Sequence, residues 1–245
     1  MLEMKDVIRR VSYPVVTFAS TRPALYYGIR KLTGKLDHLC INTDTELVIE
    51  GYPRSANSTV VHEFLARQPR PVRIAHHKHH AAQILVAVDR GLPAVLLIRD
   101  PKEAALSNLA LILEARHRRG LPEQQQLPLG FDQVLHSWVA FYRAVVGCVD
   151  DLVIAPFEEV TQDLGSMIRA INTKFGTDFI DTPPVETPIK PLGWHATPNE
   201  IRNTIKRRLA EDFADTLAGS ARVSALLDEA NTLHQRLIEI HERRR

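Results

Sequence analysis

Eight consecutive residues, Tyr52-Pro53-Arg54-Ser55-Ala56-Asn57-Ser58-Thr59, bring together side chains able to hold an oxyanion. Arg54 supplies a fixed cation, and Ser55, Asn57, Ser58 and Thr59 supply hydroxyl or amide donors. The apolar run Leu47-Val48-Ile49 before them reads as a strand, and Val60, Val61, Phe64 and Leu65 after them recur at helical spacing. A loop between a strand end and a helix N-terminus offers unpaired backbone N–H groups and the positive end of the helix dipole. It therefore favours a phosphate or sulfate. The GxxxxGK[ST] pattern is absent and no lysine adjoins Ser58-Thr59, which argues against an ordinary ATPase or kinase. The bland alternative is a plain strand-to-helix turn.

Two further groups of residues could act on the same ligand. Ile98-Arg99-Asp100-Pro101 ends a strand and opens a helix, so Arg99 falls at the sheet edge where open α/β folds bind ligands. Ser107 follows eight residues later on the helix face that lets it line the same groove, and an arginine with a hydroxyl suits a dianionic monoester. Read blandly, Arg99 pairs with a neighbouring carboxylate and Ser107 is a surface hydroxyl. Between these segments lies His76-His77-Lys78-His79-His80, at the end of a second strand. A neutral imidazole, with a pKa near 6.5, is the side chain best poised to take a proton from a hydroxyl at neutral pH. His77, 22 residues before Arg99, ranks first as that base, and His79 second. His-x-His can also chelate zinc, but the basic neighbours Arg73 and Lys78 oppose a cation, and no metal site is expected.

The loop and the Arg99–Ser107 pair, in this order, resemble the sulfotransferase superfamily. Its phosphosulfate loop usually reads Tyr-Pro-(Lys/Arg)-Ser-Gly-(Thr/Asn)-Thr-Trp, and an arginine and a serine eight residues apart hold the 3′-phosphate. The resemblance covers roughly 47–176. It implies a P-loop-like three-layer α/β fold with 3′-phosphoadenosine 5′-phosphosulfate as co-substrate and no metal. Arg54 would be the catalytic basic residue that stabilises charge on the departing phosphate, with His77 or His79 taking the acceptor proton. Ser55, Ala56, Asn57, Ser58, Thr59, Arg99 and Ser107 would hold the nucleotide, and Lys190 or Trp194 would close over it. Ala56 stands where glycine is usual, Thr59 where many members carry an adenine-stacking tryptophan, and Ala75 where a lysine often precedes the base. Two other readings stay open: a phosphoryl-transferring enzyme with Asp100 as its magnesium carboxylate, and a non-catalytic nucleotide or partner binder.

The elements that must position these groups alternate short β-branched runs with longer helical patterns, the signature of a central, mainly parallel sheet flanked by helices. Strands are expected at 46–52, 72–75, 94–98 and 152–157. Helices are expected after Pro53–Asn57, at 81–90, from Asp100 as N-cap, at 131–149, at 160–175 with Gly176 as its stop, from a capping box at Thr197 through Phe213, and at 221–241. The 182–198 stretch is proline-rich and irregular. With 245 residues the chain suits a single domain, its core about 46–215, with 1–45 and a helix at 221–243 packed on it.

Composition narrows the function classes. The balance of 31 basic against 29 acidic residues gives no field that would select nucleic acid. Two cysteines, Cys40 and Cys148, make no disulfide framework, which fits a reducing, cytoplasmic setting. No stretch reaches the ~18 apolar residues of a membrane span. Residues 11–32 mix aromatic and aliphatic side chains with Arg22, Arg30 and Lys31, which suits either packing on the domain or peripheral contact with a membrane surface. The acceptor, a small molecule or a glycan such as a glycolipid, and the oligomeric state are not legible at this level.

Overall fold

The computed structural model describes residues 4–121, 127–183, 193 and 199–245. Among them four strands, β1 (Leu47–Gly51), β2 (Ile74–His76), β3 (Ala94–Ile98) and β4 (Val153–Pro156), form one parallel sheet in the order β2-β1-β3-β4. Every residue of β1, β3 and β4 is buried, as expected of a parallel sheet covered on both faces. The period of two divides their side chains. Val48, Leu96, Ile98 and Ile154 face a cluster with α4 (Ala81–Asp89), α6 (Phe131–Val145) and α10 (Ala221–Glu242). Leu47, Ile49, Val95, Leu97 and Val153 face the opposite cluster with α3 (Asn57–Arg67) and α8 (Leu164–Phe175). The fold is thus a three-layer α/β arrangement.

A third cluster joins α6 and α10 to α5 (Pro101–His117) and α9 (Glu200–Gly219), through Leu106, Leu109, Leu135, Leu209 and Phe213. Each such side chain, wholly withdrawn from water, contributes roughly 1.5–3 kcal/mol. Gly51, at the end of β1, is required by close approach, since a Cβ there would lie 2.5 Å from the Leu97 carbonyl oxygen. Asp100 caps α5 as the sequence suggests, its carboxylate accepting from the Glu103 amide at 2.8 Å. Gly176 ends α8 with φ 66°.

Several boundaries differ from expectation. The 131–149 helix gives way after Val145 to a 3₁₀ turn, Val146–Asp151. The 160–175 helix is two helices, α7 (Phe157–Val160) and α8, because Asp163 turns its carboxylate to the Gly165 amide and starts a new N-terminus. Glu158 sits in the first turn of α7. Helix α9 starts at Glu200, with Asn199 as its cap accepting from the Arg202 amide at 2.9 Å; Thr197 lies outside the described residues. Helix α9 also runs on to Gly219, past the expected end at Phe213.

The N-terminal segment forms two helices, α1 (Met4–Ser20) and α2 (Pro23–Leu32). Pro14 lies inside α1 and cannot donate to the Arg10 carbonyl. The Gln133 side chain from α6 supplies the missing donor at 2.7 Å and ties the two helices together.

Candidate functional site

Strand β1 has β2 on one side and β3 on the other, so the chain leaves its C-terminal end in a crevice between diverging connections, the usual ligand position in open α/β sheets. The loop from Tyr52 fills this crevice. Its base is fixed by Tyr142 on α6, whose hydroxyl accepts from the Tyr52 amide at 3.3 Å and donates to the Leu97 carbonyl at 2.8 Å, so bridging β1 to β3. The Tyr52 hydroxyl donates to the Val134 carbonyl at 3.0 Å.

Above this base the loop turns sharply. Arg54 has φ 74° and Ala56 φ 68°, both left-handed. A glycine at the position of Ala56 would adopt that geometry without cost, and alanine adopts it with strain. Ala56 then serves as the N-cap of α3 with no side chain capping the helix, so that the first turn, Asn57 to Thr59, begins on the crevice with its dipole unopposed by a cap. Ser58 and Thr59 are partly exposed there. Two loop residues turn inward instead. Ser55 is wholly buried, 3.5 Å from the Tyr142 hydroxyl, and its amide donates back to the Tyr52 carbonyl. Asn57 is buried and its Nδ2 donates to the Tyr52 carbonyl at 3.1 Å, leaving Oδ1 without a hydrogen-bond partner.

The two cofactor-binding segments expected from the sequence meet on Arg54. Arg54 Nε donates to Ser107 Oγ at 3.0 Å, and Arg99 Nη1 donates to the Arg54 carbonyl at 2.8 Å. Arg99 also stacks on the Phe157 ring at 3.9 Å and approaches Glu103 at 4.0 Å. Burial, followed by the charges of Arg202 and Arg99, pushes the Arg54 pKa down to about 10. Burial likewise lowers that of Arg99. Guanidinium groups crowded in this way gain from an anion placed among them.

The histidine segment closes the other side. His77 Nε2 and Ser58 Oγ are 2.8 Å apart, which links the turn after β2 to the start of α3, and His77 Nδ1 contacts His76 Nδ1. His79 Nδ1 lies 2.9 Å from the Gly51 carbonyl. A carbonyl only accepts, so that nitrogen carries the proton and Nε2 keeps its lone pair. Burial holds His79 below its ordinary pKa, with the charge of Arg54 adding to the effect. His79 does not follow His77 along an extended strand. Strand β2 stops at His76, and His77 and His79 have φ 57° and 55°.

What holds this turn is a residue that motif reading passed over. Glu50, in β1, is wholly buried; Oε1 accepts from the Lys78 amide at 2.8 Å and from Gln83 Nε2 at 3.0 Å, and Oε2 from the His79 amide at 2.9 Å. Burial pushes its pKa up to about 7, against the opposing pull of Gln83 and the two amides. An acidic residue directly after the apolar run Leu47-Val48-Ile49, still within the expected strand, was the available signal. Arg202, also missed, comes from α9 and is buried against Glu114 Oε2 at 2.6 Å. Nothing local in the sequence marks it, because it arrives from the far end of the chain.

Lys190 and Trp194 lie outside the described residues. Among the described residues no cluster of three or more histidine, cysteine, aspartate or glutamate side chains could hold a metal ion.

No protein-family model matches the chain, and no curated protein matches it. Among solved structures it is similar to the mouse sulfotransferase SULT7A1 complexed with PAP. The identity is 12%, the match covers 81% of this chain and 93% of that one, and the TM-score is 0.38.

Proposed function

We propose that this protein transfers a sulfuryl group from 3′-phosphoadenosine 5′-phosphosulfate to a hydroxyl or amine of an acceptor. The observation that carries this reading is the meeting of Arg54, Arg99 and Ser107 at an uncapped helix N-terminus on the crevice of a parallel sheet. These groups fit a nucleotide bearing two separate anionic centres. Arg54 and the first turn of α3 would hold the phosphosulfate, and Arg99 with Ser107 the 3′-phosphate. The co-substrate supplies an activated sulfur–oxygen bond.

The chain's own residues would do the rest. His79 takes the proton of the acceptor on Nε2; the pinned tautomer favours it over His77, whose Nε2 is occupied with Ser58. As the acceptor oxygen bonds to sulfur and the sulfur–oxygen bond to the 5′-phosphate breaks, Arg54 and the α3 amides stabilise charge on the departing phosphate. Glu50 is a positioning residue that keeps the 77–79 turn in its left-handed geometry. The phosphoryl-transfer alternative is less well supported, since its magnesium carboxylate, Asp100, is engaged in capping α5.

Calorimetric titration with 3′,5′-bisphosphoadenosine, set against ATP with magnesium, tests the nucleotide assignment without knowledge of the acceptor. Binding of the bisphosphate should weaken by about tenfold to a hundredfold in Arg99→Ala, the loss of one charge-assisted contact of 1.5–3 kcal/mol. A preference for magnesium-ATP, or an unaffected Arg99→Ala, would sink the reading. His79→Ala should keep bisphosphate affinity and lose on the order of 10²–10⁴-fold in turnover across phenol, carbohydrate and glycolipid acceptors. Unchanged turnover would transfer the base to another group.

A further inference from the structure

Helix α1 is amphipathic in an inverted sense. Asp6, Thr17 and Ser20 are on its buried side, with Asp6 ion-paired to buried Arg116 at 2.5 Å. The solvent side carries Met4, Ile8, Val11, Val15 and Phe18, exposed by 74, 59, 73, 66 and 54%. Their spacing of four and three residues places them on one stripe about 100° wide or less. A packed surface helix carries its apolar stripe toward the core; here the core side mixes Asp6, Thr17 and Ser20 with Tyr13 and Ala19, and the apolar stripe is left to solvent. Leu25, Ile29 and Leu32 repeat the spacing on exposed positions of α2.

The charge around the stripe identifies what covers it. Arg9, Arg10, Arg22, Lys31 and Lys35 are exposed in this segment, and the one acidic side chain described in it, Asp6, is buried and paired. Basic side chains beside an exposed apolar stripe match an anionic lipid surface, where the apolar face enters the acyl boundary and the cations meet the headgroups. In a two-fold contact between copies the same arginines would face one another, which opposes that occupant. Among the described residues no helix is long and apolar enough to cross a membrane, and α1, with Arg9 and Arg10 at mid-length, suits the plane of the interface.

We propose that α1, with the adjoining exposed residues of α2, docks this protein on the surface of an anionic bilayer. Tyr13 on the inner side of α1 reaches Tyr52 at the base of the crevice loop, so the docked helix is joined directly to the candidate site. The proposal itself does not depend on which reaction that site performs.

Co-sedimentation of the whole chain with phosphatidylcholine vesicles, with and without about a quarter phosphatidylserine, tests it. Wild type should pellet with the anionic vesicles and be released by high salt, with little binding to phosphatidylcholine alone. Ile8→Gln/Val11→Gln/Val15→Gln should bind at least about tenfold more weakly at an unchanged melting temperature. Should that variant fail to fold, the exposed charge reversal Arg9→Glu should weaken binding on its own. Absence of binding to the anionic vesicles would overturn the proposal. So would a concentration-dependent dimer in light scattering that the same substitutions dissolve, since a second copy would then occupy the stripe.

Discussion

At the residue scale the crevice loop is built with strain. Ala56 keeps a left-handed backbone with a methyl group attached, a conformation that costs an L-residue roughly 1–2 kcal/mol. Glycine removes that cost but makes the unfolded chain more flexible, which returns about 0.4–1 kcal/mol. Ala56→Gly should therefore raise the unfolding free energy by about 0.5 kcal/mol in urea denaturation. A clear loss of stability would mean that the methyl group's contact with the apolar cluster beneath it outweighs the strain. The placing of Arg54, Ser58 and Thr59 in a loop between a strand end and a helix start was legible from residue type and position. The inward rotation of Ser55 and Asn57 was not, because it depends on Tyr142 and on the Tyr52 carbonyl, which only the folded loop brings near.

At the scale of elements, the turn joining β2 to α4 is where pH should act. His80 packs against the Tyr26 ring, and burial, reinforced by the nearby charges of His79, Arg30 and Lys78, holds its pKa down to about 4. Burial first, then the neighbouring histidines and Lys78, holds His76 at about 4 as well. Between pH 6.5 and 4 the unfolded chain binds protons that the folded turn refuses. Stability is thus complete above the ordinary histidine range and falls as pH drops through it, by on the order of 3 kcal/mol for His80 alone. Thermal melts from pH 7 to pH 4 should show the decline, and His80→Phe should flatten it; equal slopes for the two proteins would refute this assignment. Glu50 acts in the opposite sense. Its raised pKa stabilises the fold below the usual carboxylate range, and the contribution fades as pH rises through about 7. The strands and most helices around this turn follow from periodicity and caps, since these are local properties. The turn itself does not, because its two left-handed residues, His77 and His79, depend on the Glu50 carboxylate accepting from the amides of Lys78 and His79.

At the scale of the whole molecule, the start of α9 is tied to α5 through one buried carboxylate. Glu114 on α5 accepts from Arg118 at 2.8 Å, from Arg202 at 2.6 Å and from Asn199 at 2.9 Å. Burial raises its pKa, but these partners outweigh burial and hold it below the usual carboxylate range. Glu114→Gln removes the buried charge that Arg202 pairs with at 2.6 Å and should cost about 3 kcal/mol in chemical denaturation. It should also weaken bisphosphate binding, because Arg202 is one of the charges bearing on Arg54. A variant as stable as wild type would show that α9 is held by its apolar contacts alone. The amino-acid order alone determined the βα alternation, the polar strand-to-helix loop from Tyr52 to Thr59, the arginine and serine eight residues apart at Arg99 and Ser107, and the histidine segment, since each is written in neighbouring residues. The junction of those partners on Arg54, the buried hold of Glu50 on the histidines, the arrival of Arg202 and the outward apolar face of α1 came only with the tertiary structure. Each of these depends on which surfaces the packed sheet and helices cover, and that is set by contacts between residues far apart in the chain.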